Sequence, residues 1–476
     1  MRRAIAALLD PTTLSETSLV GGVVRDAFLD RALLDVDLVT TGDAEPIART
    51  FARALDGTAF PLGDDHGCWR VAVAPGPEFP DLAGILQVDV CGARGGSLET
   101  DLGARDFTAN ALAVPLAGDA HIVDLHDGLP DLEAGVVRMV AESALDDDPL
   151  RLLRAARFAH VLGWRIDEAT ESAIRARAAR IVEPAGERAF VELRLLLLHG
   201  EARRGWRLIA ELDLEQYLLP ELHACRGVVQ SRFHHLDVYE HTLAVLDNAE
   251  DLLAATDFWL PLPAEPGLVA AGWSDAQRLV VLLAALMHDL AKPATRTEHA
   301  DGRVGFAGHD KVGMQVVDDI AARWKLSGSI RTQVRRLVGT HLDLGFVLHT
   351  PAGPRELYRW RRSVSAVAAE AVVLSVADRM ATSGVADRRR WLRAHLELAR
   401  RAWADHWREQ RDGRPAPLLD GTAIGAALGG VEPGPMIGVL VQALAEEQAV
   451  GAVTNADDAR AFVRAYDVSG STGRST

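Results

Sequence analysis

The sequence predicts a small α/β head, with helices around a mixed sheet, followed by a chain that is almost entirely helical. In the first 135 residues, short apolar runs bounded by Gly, Pro or Asp alternate with a segment of helical spacing. From Pro149 onward, apolar residues recur at helical spacing almost without interruption. The chain has 476 residues, 48% of them hydrophobic, so it is long and apolar enough for several domains.

Each element follows from its local pattern. Four short apolar segments of the head are predicted strands: 17–24, 37–40, 69–74 and 85–90. Between the second and the third, Ile47, Phe51 and Leu55 follow helical spacing up to Asp56-Gly57, which predicts a helix over 44–55. Later amphipathic helices are predicted at 187–199, 203–212 and 237–255.

These changes of pattern, with Gly- and Pro-rich stretches at 259–272 and 412–417, predict four domains. The first two are a head over 1–135 and a helical neck over 136–225. They are followed by a helical domain over 226–400 and a helical tail over 401–476.

Composition excludes several classes of protein. The longest apolar run, Leu279–Met287, is far shorter than the roughly 20 residues of a membrane span. The apolar segment Ala4–Leu9 is too short for a secretory signal, so we expect a cytoplasmic protein without a membrane partner. Cys68, Cys91 and Cys225 have no CxxC spacing, and we expect them to be reduced and to bind no zinc.

The first candidate site is a pair of carboxylates behind a glycine turn. Because a strand alternates its faces, Asp35 and Asp37 point the same way. Two such carboxylates repel unless a cation lies between them, and Mg²⁺ prefers carboxylates together with substrate phosphates. Gly21-Gly22 lets backbone amides approach a triphosphate, and Asp89 is a candidate third carboxylate from a neighbouring strand.

Four segments, in order, resemble the bacterial CCA-adding tRNA nucleotidyltransferases and their poly(A) polymerase relatives. The first holds Gly21-Gly22-Val23-Val24-Arg25-Asp26 and Asp35-Val36-Asp37. The second, Arg105-Asp106-Phe107-Thr108-Ala109-Asn110-Ala111, is similar to the RRDFTxNA motif. The third is the turn 124–132, and the fourth is 147–158, which begins Asp147-Asp148-Pro149-Leu150-Arg151.

The resemblance implies a nucleotidyltransferase head and assigns roles to individual residues. It implies that Asp35, Asp37 and Asp89 are catalytic, with Mg²⁺ on Asp35 and Asp37. It implies a nucleotide-binding set made of Gly21, Gly22, Arg25, Asp26, Arg105, Asp106, Asn110, Asp147, Asp148, Arg151, Arg154 and Arg157. In this set the acidic pair and Arg151 read the base. Spacing of i, i+3 predicts that Asp148 and Arg151 meet on one helix face.

Two positions depart from the family pattern. The doubled Arg of the second motif is Ala104-Arg105 here, and the usual Glu-Asp pair is Asp147-Asp148. Asp for Glu shortens the side chain by one methylene and keeps its charge. The missing guanidinium removes charge-assisted hydrogen bonds, each worth roughly 1.5–3 kcal/mol.

A second candidate site lies on predicted helices of segment 226–400. His288-Asp289 ends an apolar run, which buries the charge of Asp289 unless a cation pairs with it. The group resembles the HD phosphohydrolase domain, whose H…HD…D metal ligands match His241, His288, Asp289 and Asp378. His309 and His341 match extra positions of two-metal members.

The HD resemblance implies a divalent ion (Mn, Fe, Ni, Co or Mg) that activates water for attack on a phosphomonoester or cyclic phosphodiester. Lys292, one helical turn after His288, is a candidate phosphate contact. We expect four other histidines to be structural or on the surface: His234, His235, His349 and His395.

Three functions follow from the two resemblances. The leading one is template-independent addition of CCA to tRNA 3′ ends from CTP and ATP. A poly(A) polymerase, or an enzyme that adds only CC or only A, uses the same chemistry. The third is an HD metal phosphohydrolase whose head binds nucleotide or RNA without catalysis.

Charge is distributed in a way that fits an RNA partner. The net charge of −16 lies in residues 1–150, whereas 151–207 carry +5 and 331–414 carry +8. Phosphate backbones are bound by Lys and Arg. We therefore expect the two basic segments to face RNA and the acidic head to hold cations.

Overall fold

The computed structural model describes residues 1–63, 67–73, 82, 84–231, 234–348, 353–382, 388–432 and 434–466. Of Ser365, Arg388 and Arg389 it describes only the backbone. The chain divides into two compact units. Unit 1 holds Met1–Leu196 and Arg204–Leu218, and unit 2 holds Leu197–Arg203 and Leu219–Thr476. The boundaries of the four predicted domains stay predictions.

A seven-stranded mixed sheet forms the head, which confirms the predicted α/β class. Its strands are β1 (Thr17–Val20), β2 (Asp35–Thr40), β3 (Thr58–Pro61), β4 (Trp69–Ala72), β5 (Gln87–Gly92), β6 (Leu112–Pro115) and β7 (Val123–Asp124). Their order in the sheet is β3-β4-β5-β2-β1-β6-β7. Only the β2–β5 pair is parallel, and the other neighbours are antiparallel.

Apolar alternation in β2 and β5 builds the core of the head. Val36 and Leu38 on β2, and Val88 and Val90 on β5, are each at most 2% exposed. The helix that packs against them buries Phe51 completely, in one cluster with these residues. The residues between these apolar positions point to the other face of the sheet, where the first candidate site lies.

Helices surround the sheet, and local hydrogen bonds help to fix where they begin and end. Those of the head are α1 (Arg2–Ala6), α2 (Pro11–Glu16), α3 (Gly22–Phe28), α4 (Ala44–Ala54), α5 (Leu98–Gly103) and α6 (Gly128–Ala134). The side chain of Asp43 caps the first turn of α4 by accepting a hydrogen bond from the amide of Glu45. Helix α4 matches the helix predicted over 44–55.

Two expectations for the head were wrong. The strand predicted over 17–24 ends at Val20, because Gly21 adopts a φ of +72° and starts α3 from Gly22. Cys68 and Cys91, expected to be reduced, form a disulfide at the neighbouring ends of β4 and β5. Cys225 is a free, buried cysteine.

The remaining elements of unit 1 are mostly helical, as predicted from residue 149 onward. They are β8 (Val136–Val137), α7 (Glu142–Asp147), α8 (Leu150–Leu162), β9 (Arg165–Ile166), α9 (Glu168–Arg177), α10 (Gly186–His199), α11 (Ala202–Glu211) and α12 (Glu215–Leu218). Helix α10 continues into unit 2 after Leu196. Strands β8 and β9 form a separate parallel pair.

In the part of unit 2 that the structure describes, the regular elements are helices apart from one short hairpin, β10 (Thr297–Glu298) and β11 (Val304–Gly305). Its first helices are α13 (Pro220–His223), α14 (Val238–Ala254), α15 (Thr256–Trp259), α16 (Asp275–Met287), α17 (Lys292–Thr295), α18 (His309–Arg323), α19 (Gly328–Thr340) and α20 (Asp343–Val347). Then follow α21 (Pro354–Val364), α22 (Ala368–Ala381), α23 (Arg388–Asp412), α24 (Gly421–Ala427), α25 (Pro435–Ala449) and α26 (Ala456–Ala465).

The core of unit 2 is built around α16. Its apolar run Leu279–Met287 is buried along its whole length, and α14 and α22 pack against it. Helices α24 to α26 enclose a small core of their own, centred on Ile424 and Leu440. Among the described helices, none combines the length and the apolar character that crossing a membrane requires.

We predict that Phe51→Ala lowers the free energy of unfolding by about 3–5 kcal/mol, because it leaves a cavity under the sheet. Urea unfolding followed by circular dichroism measures the effect. The control is Phe28→Ala, since Phe28 is 46% exposed, and we expect a change below about 1 kcal/mol. Equal losses in the two variants would contradict the assignment of Phe51 to the core.

Candidate active and metal sites

Three acidic side chains lie together on one face of the head sheet. Asp37 on β2 is paired in register with Asp89 on β5, and Asp35 lies two residues before Asp37 on the same face. Asp35 is exposed and Asp37 is half-buried. The structure therefore brings together all three residues that the sequence marked as catalytic, and their roles stay predictions.

Asp89 differs from the other two because it already has a cationic partner. Nε and Nη2 of Arg70 donate to the two oxygens of Asp89 at 2.8 and 2.7 Å. Within the described residues, the side chains of Asp35 and Asp37 form neither a hydrogen bond nor an ion pair. The pair best placed to bind an added cation is thus Asp35 and Asp37, and a metal on Asp89 competes with Arg70.

Electrostatics at this pair favour a bound cation. Burial, followed by the negative charge of Asp89, raises the pKa of Asp37 to about 6. The same two causes raise the pKa of Asp35. A divalent cation removes the repulsion that disfavours both charges, and two carboxylates are ligands that suit Mg²⁺. The two residues therefore fit the metal that the resemblance implies.

The glycine turn lies beside this pair. The φ of +72° at Gly21 favours glycine, and a Cβ there would lie 2.5 Å from Nη1 of Arg105. The same guanidinium lowers the pKa of Asp37 through its charge, although burial outweighs it. Arg105 is held by two hydrogen bonds to Asp101, of 3.1 and 3.0 Å. A positive group thus faces the turn and the carboxylates together.

Three predicted nucleotide-binding arginines surround one aromatic ring. The guanidinium carbons of Arg25, Arg154 and Arg157 lie 4.9, 5.2 and 4.0 Å from the ring centroid of Phe158. Arg25 also donates to Asn110 at 2.6 Å and makes a two-pronged ion pair with Asp26. The cluster joins α3 and the second motif to α8 within unit 1.

Asp106 anchors this cluster from the second motif. Arg154 donates to its Oδ2 at 2.9 and 2.7 Å, and Asn110 donates to its Oδ1 at 3.0 Å. Burial alone would raise the pKa of Asp106, but the Arg154 guanidinium and these hydrogen bonds hold it well below its ordinary value. Asp106 is therefore charged, and it positions Arg154.

The predicted base-reading pair is arranged differently from the expectation. Asp148 lies before α8, because a residue that precedes proline disfavours helical geometry, and Pro149 follows it. Asp148 accepts from Arg188 at 2.7 Å, while Arg151 donates to the backbone carbonyl of Ala104 at 2.8 Å. The prediction that Asp148 and Arg151 share one helix face was wrong. Asp147 ends α7 and is exposed.

Sequence reasoning missed three partners of the site: Arg70, Arg188 and Glu192. Glu192 is 5% exposed and pairs with both Arg154 and Arg157. The sequence did indicate a role for Glu192, because it is a single acid inside the largely apolar stretch 189–197. A charge buried there needs a partner. Arg70 and Arg188 carry no such signal, since their side chains are 35% and 54% exposed and a solvated arginine needs no partner.

The second candidate site gathers all six predicted HD residues. His241, His288 and Asp378 place one ligand atom each within 4.8 Å of one another, and so do Asp289, His309 and His341. Asp289 lies between the groups. Its Oδ2 is 3.0 Å from Nε2 of His288, and its Oδ1 is 3.4 Å from Nε2 of His309. The two groups therefore share one buried carboxylate.

Backbone carbonyls fix the orientation of three of these imidazoles. Nδ1 of His288, His309 and His341 lies 2.9, 2.7 and 2.7 Å from a carbonyl oxygen three residues earlier. Each ring thus donates from Nδ1 and turns the lone pair of Nε2 towards the site, as metal ligands do. Burial, with the neighbouring His288, lowers the pKa of His341 to about 4, so it is neutral at pH 7.

Several buried polar atoms of this group lack hydrogen-bond partners, which indicates whether the residues fit a metal ion. Nε2 of His309 and Nε2 of His341 face each other at 3.3 Å, where two lone pairs repel. Nε2 of His288 and Oδ1 of Asp289 are buried without a hydrogen-bond partner. Bound cations remove both costs, so the donor set fits one or two divalent ions.

A cavity of about 840 Å³ in unit 2 reaches this site. Lys292 lies on its wall and donates to Asp289 at 2.6 Å. His234, expected to be structural or on the surface, also lines the cavity, 5.0 Å from the ring of His241. His395, with the same expectation, hydrogen-bonds Ser375 at 3.0 Å and also lines the cavity. His235 is exposed, as expected, and His349 lies outside the described residues.

We predict that Glu192→Ala lowers the free energy of unfolding by about 3 kcal/mol, because it removes the carboxylate partner of the largely buried Arg157 and one of the two carboxylates that pair with Arg154. Glu187→Ala on the same helix is the control, since Glu187 is exposed. Urea unfolding of both variants checks the difference. If the two variants unfold alike, Glu192 does not anchor the arginine cluster.

Family models match the chain in three consecutive parts. The model described as "Poly A polymerase head domain" matches residues 17–138. The model "Probable RNA and SrmB- binding site of polymerase A" matches residues 163–226. The HD domain model matches residues 238–383. Both resemblances noted in the sequence are thereby confirmed at the level of the family.

Solved structures share the fold across almost the whole chain. The structure of a CCA-adding enzyme with ATP aligns with a TM-score of 0.62 at 19% identity, covering 98% of this chain and 94% of that one. A Thermotoga maritima CCA-adding enzyme complexed with tRNA aligns with a TM-score of 0.58 at 20% identity, covering 97% of each chain.

Two curated relatives extend the similarity to sequence. The A-adding tRNA nucleotidyltransferase of Deinococcus radiodurans is 35% identical over 94% of this chain and 95% of its own length. The CC-adding tRNA nucleotidyltransferase of Thermus thermophilus is 32% identical over 93% of this chain and 92% of its own length. With an identity above 30% along nearly the full length, the chain belongs to the tRNA nucleotidyltransferase and poly(A) polymerase family.

Proposed function

We propose that the chain adds the CCA sequence to tRNA 3′ ends from CTP and ATP without a template. The observation that carries this proposal is the pair Asp35 and Asp37, without ion pairs and on one sheet face, beside the turn at Gly21 and the guanidinium of Arg105. Nucleotidyl transfer needs in-line placement and charge neutralisation more than covalent chemistry. A carboxylate pair beside a glycine turn and a guanidinium is suited to both.

Different residues of the head would bind the metal ion and the phosphates in this reaction. Asp35 and Asp37 would hold Mg²⁺, which when bound neutralises the triphosphate and makes the RNA 3′ hydroxyl more acidic. Gly21 leaves room for a phosphate at the turn, and Arg105 donates hydrogen bonds to its oxygens. Arg154, held by Asp106, adds positive charge beside the same site.

The names of the two relatives that align over nearly the full length support a second candidate function, the addition of only part of the CCA sequence. The Deinococcus radiodurans protein is an A-adding enzyme, and the Thermus thermophilus protein is a CC-adding enzyme. Partial addition, of A alone or CC alone, uses the same carboxylates. Three tRNA substrates that end before CCA, after C or after CC, each tested with CTP and with ATP, separate full from partial addition. A poly(A) polymerase would instead extend an unrelated RNA with ATP.

A hydrolase activity in unit 2 is a further candidate, supported by the six converging ligands and the cavity beside them. His241, His288, Asp289 and Asp378 would hold a divalent ion (Mn, Fe, Ni, Co or Mg), and His309 with His341 a second one. When bound, the metal supplies activated water for a phosphomonoester or cyclic phosphodiester. Lys292 would balance phosphate charge. The cytoplasmic location expected from the sequence stays a prediction.

We predict that Asp37→Ala lowers incorporation of labelled CTP and ATP into truncated tRNA by about a thousandfold, since losing a metal carboxylate forfeits several kcal/mol of charge stabilisation. Asp119→Ala, at an exposed acid of the head, is the control and should leave the rate unchanged. Incorporation by Asp37→Ala at the control rate would refute transfer at this site. The head would then only bind nucleotide or RNA.

We predict that Asp289→Ala abolishes phosphatase and cyclic phosphodiesterase activity and lowers bound metal, while nucleotide incorporation persists. Asp289 alone faces both groups of histidines, so its loss removes a ligand from each. Asp275→Ala, at the exposed start of α16, the helix that ends two residues before Asp289, is the control. Metal content is measured by elemental analysis, and unchanged metal in Asp289→Ala would rule out this site as the metal centre.

A further inference from the structure

A row of three charged side chains crosses the head sheet, from β2 through β5 to β4. Asp37 is paired in register with Asp89, and Asp89 is paired in register with Arg70 on its other side. Residues paired in register point to the same face of a sheet, so all three lie on the face of the first candidate site. The fold therefore places a guanidinium, which stays protonated, directly beside the proposed metal-binding carboxylates.

Arg70 engages the whole carboxylate of Asp89. Its Nε and Nη2 donate to one oxygen each, at 2.8 and 2.7 Å. A divalent ion that approaches this carboxylate meets two oxygens that already accept charge-assisted hydrogen bonds, and it is also repelled by the guanidinium. The side chain of Asp89 is only 14% exposed, so solvent screens this repulsion weakly. Asp89 is therefore unavailable to a metal ion while Arg70 keeps this position.

The other two carboxylates of this face have no such partner. Arg105 acts on Asp37 through its charge, but its own hydrogen bonds go to Asp101. Asp35 and Asp37 can therefore take one divalent ion in the absence of substrate. Transfer with two metal ions needs a second one about 3.5–4 Å from the first. An ion at the third carboxylate must displace the guanidinium that is bound there.

The phosphates of a nucleotide are suitable new partners for Arg70. Its side chain is 35% exposed, which leaves it room to move. Hydrogen bonds to Asp89, and then the charges of the three carboxylates, raise the pKa of this guanidinium, although burial opposes the rise. Its charge thus acts over the whole face on which a nucleotide would bind. A guanidinium binds phosphate oxygens in the same two-pronged way as a carboxylate.

We propose that Arg70 is a positioning residue that keeps Asp89 from binding a divalent ion until a nucleotide takes over the guanidinium. The inference rests on the proposed nucleotidyl transfer. It sets an order of binding, in which one ion binds to Asp35 and Asp37, the nucleotide follows, and the second ion reaches Asp89 last. Until then, Arg70 supplies the positive charge that this ion would bring.

The test measures Mn²⁺ binding to the full chain from the electron paramagnetic resonance of free Mn²⁺, without RNA, so that no transfer occurs. Without CTP, we expect Arg70→Ala to bind one further ion about tenfold more tightly than the wild type, because the charge that repels it is gone. Arg70→Lys keeps the charge and should behave as the wild type. The control is Arg53→Ala, at an exposed arginine of α4, which should change nothing. Ions in unit 2 are common to all variants and cancel.

Two further comparisons assign the effect. Adding Asp89→Asn to Arg70→Ala should abolish the tighter binding, and saturating CTP should remove the difference between Arg70→Ala and the wild type. Unchanged binding in Arg70→Ala, a gain that survives Asp89→Asn, or a difference that persists with CTP would each overturn the proposal. A wild-type chain that shows the expected Mn²⁺ binding but adds no CTP to truncated tRNA would overturn the transfer activity and leave the role of Arg70 standing.

Discussion

Negative charge at partly or fully buried positions, which basic side chains balance only in part, is the constraint on which both candidate sites depend. In the head, parallel pairing of β2 with β5 places Asp37 opposite Asp89, and the fold provides Arg70 for only one of them. In unit 2, the carboxylate of Asp289 lies among histidines that turn lone pairs towards it. The apolar neighbours of these groups supply the free energy that keeps them close together.

Between the second motif and α8, in contrast, buried acidic side chains are paired with arginines. There every buried acid meets an arginine, as Asp106 meets Arg154 and Glu192 meets both Arg154 and Arg157. Such pairs bring little net stability, but removing one member is costly. They hold guanidinium groups in fixed positions around Phe158, which is the order that the proposed nucleotide site requires.

Sequence reasoning predicted the parts that obey a local rule. Strand alternation placed Asp35 and Asp37 on one face, and the apolar run before His288 marked a buried charge. Partners distant in sequence were beyond such rules, because Glu192 and Arg154 meet only through the packing of two helices. The Asp148 error was local, since the proline after it disfavours helical geometry. The cysteine pairing needed the β4–β5 register, which spacing alone does not fix.

The disulfide between Cys68 and Cys91 helps to maintain this register between β4 and β5. The bond closes a loop with a sequence separation of 23 residues, and a loop of this size restricts the unfolded chain by about 3 kcal/mol of entropy. A slip of one residue between β4 and β5 would turn Asp89 to the opposite face. The covalent link keeps Arg70 and Asp89 within reach of each other even when the head is unfolded, so their alignment is retained by chain connectivity as well as by packing.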